Sequence, residues 1–195
     1  ALSGGINNDA TIINSTNYGA ITGTATNNKT AGIVGMVEST GENRVENVRN
    51  FGTVKGQTLV GGIAGEVTAS KSVIKGCENY GMIESIATAN NAGVIGGIVG
   101  QMTKSTKVVS TATITDSVNY GAINGAKNSD VAVGGVVGAY NITTTMSNVK
   151  NYGSINGNSR TGGIVGHLYG KLENAKNYGS IVTGFKDSTN AATGN

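Results

Sequence analysis

The feature that most constrains this chain is a triplet, asparagine-aromatic-glycine, that recurs six times. It begins at Asn17, Asn50, Asn79, Asn119, Asn151 and Asn177. The central residues are Tyr18, Phe51, Tyr80, Tyr120, Tyr152 and Tyr178, and the spacings are 33, 29, 40, 32 and 26 residues. Self-similarity at this period is the signature of a tandem array of supersecondary units. Each copy carries the same apolar flanks. Five positions before the asparagine stand Ile12, Val45, Ile74, Ile114, Met146 and Leu172. Three positions after the aromatic stand Ile21, Val54, Ile83, Ile123, Ile155 and Ile181.

A second motif lies between successive triplets. It reads Gly32-Ile33-Val34-Gly35, Gly62-Ile63-Ala64-Gly65, Gly97-Ile98-Val99-Gly100, Gly135-Val136-Val137-Gly138 and Gly163-Ile164-Val165-Gly166. Two places further on comes Val37, Val67, Met102, Tyr140 or Leu168. The alternation of Ile33, Gly35 and Val37 has the period of a strand, and no stretch shows a 3.6-residue apolar period. Each repeat therefore holds three short apolar segments separated by Gly, Asn, Ser and Thr. Three short strands per unit describe the coils of a β-solenoid, in which no coil can bury its inner face alone. The expected fold is all-β: about six coils, right-handed by the general bias of parallel crossovers, forming one array over residues 1–195. Uneven spacing predicts extra residues in corner loops, the longest at Gln101–Thr113, Ile86–Gly96 and Ala126–Val133.

Composition agrees with stacked coils. The chain has 195 residues with 32 glycines and no proline. Proline would remove a ladder donor from strands paired on both sides, and a thin core leaves no room for side chains where strands meet. Left-handed corners favour Gly and Asn, and Asn occurs 24 times. Collagen, which needs glycine at every third position plus proline, is excluded.

The Gly-Ile-Val-Gly element with its partner Asn-Tyr-Gly-x-Ile resembles the GLUG motif family. That motif is written Gly-Leu-hydrophobic-Gly and occurs in tandem in bacterial surface proteins. Four copies match with Ile or Val in place of Leu, and Gly62–Gly65 matches with Ala64 in the third place. The resemblance covers about Gly4 to Gly184. In that family the repeats accompany IgA-specific metallopeptidases and filamentous-haemagglutinin-like proteins. It implies a bacterial extracellular or cell-surface scaffold or adhesin segment, part of a larger protein. It brings no catalytic residues, and the peptidase signature His-Glu-x-x-His is missing: His167 is the sole histidine and Leu168 follows it.

The residues themselves point away from catalysis. A zinc site needs several His or Cys ligands, whereas this chain has one of each. Cys77 shares its repeat position with Ser15, Val48, Ser117, Val149 and Ala175, which predicts a buried structural thiol. The neighbours of His167 in the repeat are unrelated residues, so it reads as a surface position. No glycine cluster is followed by the Lys-Ser or Lys-Thr of a phosphate loop. Lys and Arg total 14 against 11 acidic residues, with no basic run, so no nucleic-acid partner is expected. No apolar stretch is long enough to insert into a membrane as a helix. The expectation is a non-enzyme without metal or cofactor, serving as a structural or adhesive module. An accessory, substrate-presenting domain of a large secreted protease and a self-stacking filament subunit are the alternatives.

Two rows rise above this background. Tyr18, Phe51, Tyr80, Tyr120, Tyr152 and Tyr178 should point outward if the isoleucine three places later points inward. They form either a structural stack or a platform for a host glycan or protein. Val34, Val99, Val137 and Val165, with Ala64, point away from the side of Ile33 by the same alternation. A segment apolar on both faces has something covering each. The cover is either another layer of this chain or a lateral interface with another domain or copy.

Overall fold

The computed structural model describes residues 1–39, 41–69, 71–88, 93–104, 111–126 and 130–184. Their regular structure is entirely strand, arranged in five parallel sheets, four of six strands and one of five. Neighbours within every sheet are equivalent segments of successive repeats, so the chain coils about six times. The second coil shows the pattern: Val34–Ser39, Arg44–Glu46, Arg49–Asn50, Val54–Gly56 and Leu59–Gly61 each form one face.

Five strands per coil, rather than three, is the correction to the sequence reading, and its cause is local. The segment leading into the asparagine is broken by a left-handed residue. Asn14, Asn47, Gly76, Asp116, Asn148 and Asn174 occupy this corner once per coil, with φ between 49° and 61°. Only Gly and short side chains that bond their own backbone visit this region cheaply. The fifth strand, Leu59–Gly61 in the second coil, precedes the glycine motif and pairs in register with Lys29–Ala31 and Gly93–Gly96. It shortens two expected loops, because Gly93–Gly96 and Asp130–Gly134 are strands. The expected Gln101–Thr113 loop likewise begins inside Val99–Thr103 and ends at Thr113–Thr115. The remainders of these loops at 89–92, 105–110 and 127–129 lie outside the described residues.

The interior is divided in two. One apolar cluster contains Ile33, Val34, Val37, Val45 and Val48 with their equivalents in the other coils. The other contains Val54, Val60, Ile83, Ile95, Ile123, Val133 and Ile155. Between them the coil is pinched where the triplet asparagine lies directly over the first glycine of the second motif. A Cβ on Gly97 would stand 2.7 Å from the Asn119 Cβ, and one on Gly135 would stand 2.8 Å from the Asn151 Cβ. Glycine is thus required here by close approach, not by dihedral angle.

Gly32–Ile33 is a bend, and that overturns one reading. The strand starts at Val34, and Ile33, Val34 and Val37 are all fully buried in one cluster, so alternation counted from Ile33 across the bend does not tell which residues are covered. Val34, Ala64, Val99 and Val137 have no exposed surface and belong to the first core; Val165 packs against it in the last coil. Val34, Ala64, Val99 and Val137 are therefore covered by the chain's own layers, while Val165 is half-buried in the last described coil.

Candidate functional site

Asparagine builds the site from inside. Asn17, Asn50, Asn79, Asn119, Asn151 and Asn177 pair in register along one sheet. The Nδ2 group of Asn79 donates to the Gly81 carbonyl at 2.9 Å and to the Asn119 Oδ1 at 2.8 Å. Asn119 repeats this toward Gly121 and Asn151, both at 2.8 Å. Every interior amide thus spends both hydrogens and receives one from the coil before it. Asn50, Asn79, Asn119 and Asn151 are fully buried, a position tolerated because these bonds are made. The bonds all run the same way along the axis, so each polarises the next. This row was missed as an element of the site. The signal was present in the sequence, since the asparagine never varies across the six copies while the aromatic does.

The asparagine fixes its neighbour. With Asn side chains inward, the next residue along the strand points out. The six rings stack face to face, with centroids 4.7–5.2 Å apart and planes within 7–9°. That spacing is the strand repeat itself. Interior rings are 40–43% exposed, whereas Tyr18 is 76% and Tyr178 58% exposed. The structure therefore brings all six predicted residues into one continuous external ladder. Within it the ring faces cover one another and only edges and hydroxyls face solvent. Among the described residues, Tyr18 and Tyr178 each have a stacked ring on one side only.

Charged and polar rows flank the ladder. The Arg49 Nε donates to the Glu78 carboxylate at 2.6 Å, and the Tyr80 hydroxyl donates to the same carboxylate at 3.3 Å. Lys55 and Glu84 pair at 2.8 Å between the same coils. Beside the left-handed corner run two shallow clefts. One of about 510 Å³ is lined by Asp116, Asn148, Lys150 and Lys176 among others. One of about 440 Å³ is lined by Asn14, Arg49 and Glu78 among others. Burial within the stack and then the Glu78 charge push the Tyr80 and Tyr120 phenols above their ordinary value. A raised phenol favours its neutral form in the fold. Its contribution to stability is whole below the unfolded value of about 10 and is lost as pH climbs through the folded value. In an ultraviolet titration, phenolate absorbance should emerge at higher pH in the native chain than in the denatured one. Coincident curves would contradict the stack.

Cys77 and His167 sit where the repeat alignment put them. Cys77 is buried, with its Sγ 3.4 Å from the carbonyls of Val45 and Lys75, and burial pushes its thiol up to about 12. A thiol without thiolate is inert. A thiol reagent at neutral pH is expected to leave the native chain unmodified and to label one cysteine after unfolding. Rapid native labelling would refute the burial. His167 is exposed, in register with Ala139, and faces no thiol.

The fold and its ladders define a parallel β-solenoid with an internal amide ladder and an external aromatic one. No family model matches this chain. No curated protein matches it. Among solved structures it is similar to the 1.30 Å crystal structure of a candidate immunoglobulin A1 protease from Bacteroides ovatus. The TM-score is 0.56 at 20% identity, covering 85% of this chain and 48% of that one. At this identity the likeness establishes the fold alone, and this chain spans about half the length of that neighbour.

Proposed function

We propose that this chain is a non-catalytic structural and adhesive module of a bacterial secreted or cell-surface protein. It acts as a stiff segment that holds a surface or a neighbouring domain in place. The observation that carries the reading is the continuity of its ladders: backbone, amide and aromatic rows each run through every coil. A structure repeated unchanged along its axis presents an extended surface rather than one convergent pocket. The motif resemblance to bacterial surface repeats and the shared fold with the Bacteroides ovatus protein support the same setting.

The second reading, favoured by that neighbour's description, is a domain that presents substrate to a protease encoded in the same polypeptide. One experiment separates the two. The purified chain is incubated with intact immunoglobulin A1, and both binding and heavy-chain integrity are followed. The structural reading expects no cleavage and no saturable binding. Saturable binding without cleavage would favour the presenting role, and cleavage would overturn the non-catalytic assignment.

A further inference from the structure

The outer face that carries the aromatic ladder has a charge pattern that is its own complement. In the second coil Arg49 and Lys55 stand outside on either side of Phe51, while Asn50 and Val54 on the same segment are buried. In the third coil the same two positions, in register, hold Glu78 and Glu84 on either side of Tyr80. One coil is thus positive on both flanks and the next is negative on both. The coils to each side are neutral at these positions: Thr16 and Thr22 precede the cations, and Val118 and Asn124 follow the acids. Arg49 pairs with Glu78 at 2.6 Å and Lys55 with Glu84 at 2.8 Å, yet the Arg49 and Lys55 side chains remain 58% and 40% exposed. Pairs this open contribute little to the fold, and their charges still act on an arriving surface. Between the flanks the rings of Phe51, Tyr80 and Tyr120 keep their edges in solvent. Tyrosine and arginine are the residues enriched where interfaces concentrate their binding energy.

We propose that this face binds a second copy of the chain, side by side and antiparallel, about a two-fold axis that runs along the strands between the second and third coils. That rotation reverses the order of the coils but keeps each flank over the same flank. Arg49 of one copy then lies over Glu78 of the partner subunit, and Lys55 over Glu84 of the partner subunit, with each contact made twice. The neutral first coil lies over the neutral fourth. A parallel pairing would instead set Arg49 against Lys55 and Glu78 against Glu84, and these like-charge contacts reject it. An unrelated partner would have to reproduce the alternation of two cations and two acids at the coil spacing, whereas a second copy supplies it. A contact of four coils is small beside the roughly 1,600 Å² of a standard interface, so the association should be weak, and screening by salt should weaken it further. An isologous contact closes at two copies. This goes beyond the scaffold reading and stands on the charge pattern alone.

The test is light scattering of the purified chain up to about 1 mM, with charge variants whose folding is checked by circular dichroism. The wild type should rise from 19.6 kDa toward twice that mass and no further, and should return to the monomer in high salt. The double variants Arg49→Glu with Lys55→Glu, and Glu78→Lys with Glu84→Lys, should each remain monomeric alone and dimerise when mixed. The full exchange of Arg49→Glu, Lys55→Glu, Glu78→Arg and Glu84→Lys restores every pair within the chain, so it separates a lost interface from a damaged fold. The exchanged chain should dimerise with itself and not with the wild type. A wild type that stays monomeric, assembly beyond the dimer, double variants that associate as the wild type does, a mixture without dimer, or free pairing of the exchanged chain with the wild type would each overturn the proposal.

Discussion

Asn119→Ala should be among the most damaging substitutions in the chain, although the residue touches no ligand and carries no charge. Removing its amide deprives three buried groups of partners. These are the Asn79 Nδ2 that donates to it, the Gly121 carbonyl and the Asn151 Oδ1 that accept from it. Each orphaned buried group costs roughly 1–3 kcal/mol, so the loss should reach about 3 kcal/mol or more. A small domain has only about 5–15 kcal/mol in total. Stacked repeats contact only their neighbours, so the array should divide at the wounded coil and urea unfolding should become biphasic. Asn119→Asp sharpens the argument. The carboxylate still accepts from Asn79 but donates nothing and is buried without a cation. Its pKa should rise, so the variant should be most nearly wild-type in acid and lose stability as pH climbs through the folded value. Asn177→Ala, at the exposed end of the same row, is the control. Water replaces the lost partners there, and the change should cost less than about 1 kcal/mol. Equal effects at positions 119 and 177 would mean that the ladder contributes nothing beyond ordinary surface bonding.

Much of this fold was written in the sequence because each coil repeats the same requirements. The triplet placed Tyr18 and its five equivalents on one outer row, and the position of Cys77 among small or apolar residues placed it inside. What could not be read was phase across bends. Counting from Ile33 put Val34 outside, yet the backbone turns at Gly32–Ile33 and starts a new strand at Val34. Alternation holds only within a strand, and two adjacent glycines or a glycine before an isoleucine do not announce where one ends. The left-handed corner hid for a similar reason. Asn14, Asn47, Gly76, Asp116, Asn148 and Asn174 share a backbone conformation but not an identity, and four asparagines look like ordinary polar spacing until φ is known. The aromatic row was legible as a row but not as a face. Whether its rings lie flat against the surface or edge-on to solvent depends on the stacking between coils. That stacking closes the ring faces of Tyr80, Tyr120 and Tyr152. Tyr120→Ala should accordingly cost about 1–2 kcal/mol through two lost ring contacts, a modest effect beside that of its inward neighbour.

The glycine that closes the triplet should be as intolerant as the asparagine, for a reason that has nothing to do with left-handed backbone. A methyl group on Gly121 would come within 2.8 Å of the Gly81 carbonyl carbon and 2.9 Å of the Asn79 Nδ2, with the Gly81 oxygen closer still. These are backbone atoms and a side chain already held by the ladder, so nothing can swing aside. Overpacking a tight interior usually costs about 1–3 kcal/mol. Gly121→Ala should lie at or above the top of that range, because the two coils can separate only by stretching both the ladder and the adjacent strand pairs. The same Cβ meets equivalent atoms at Gly81 and Gly153, so substitutions there should match it. Gly4→Ala is the opposite case. No atom lies within 4 Å of the added carbon, on an edge strand. Replacing glycine there removes backbone freedom from the unfolded chain and should be neutral or stabilising by up to about 0.5–1 kcal/mol. Thermal unfolding of the pair gives opposite signs if packing between coils sets the requirement. If both alanines destabilised the chain alike, glycine would instead be needed for its strand conformation at every position, and the close stacking of the triplets would not be what holds the solenoid together.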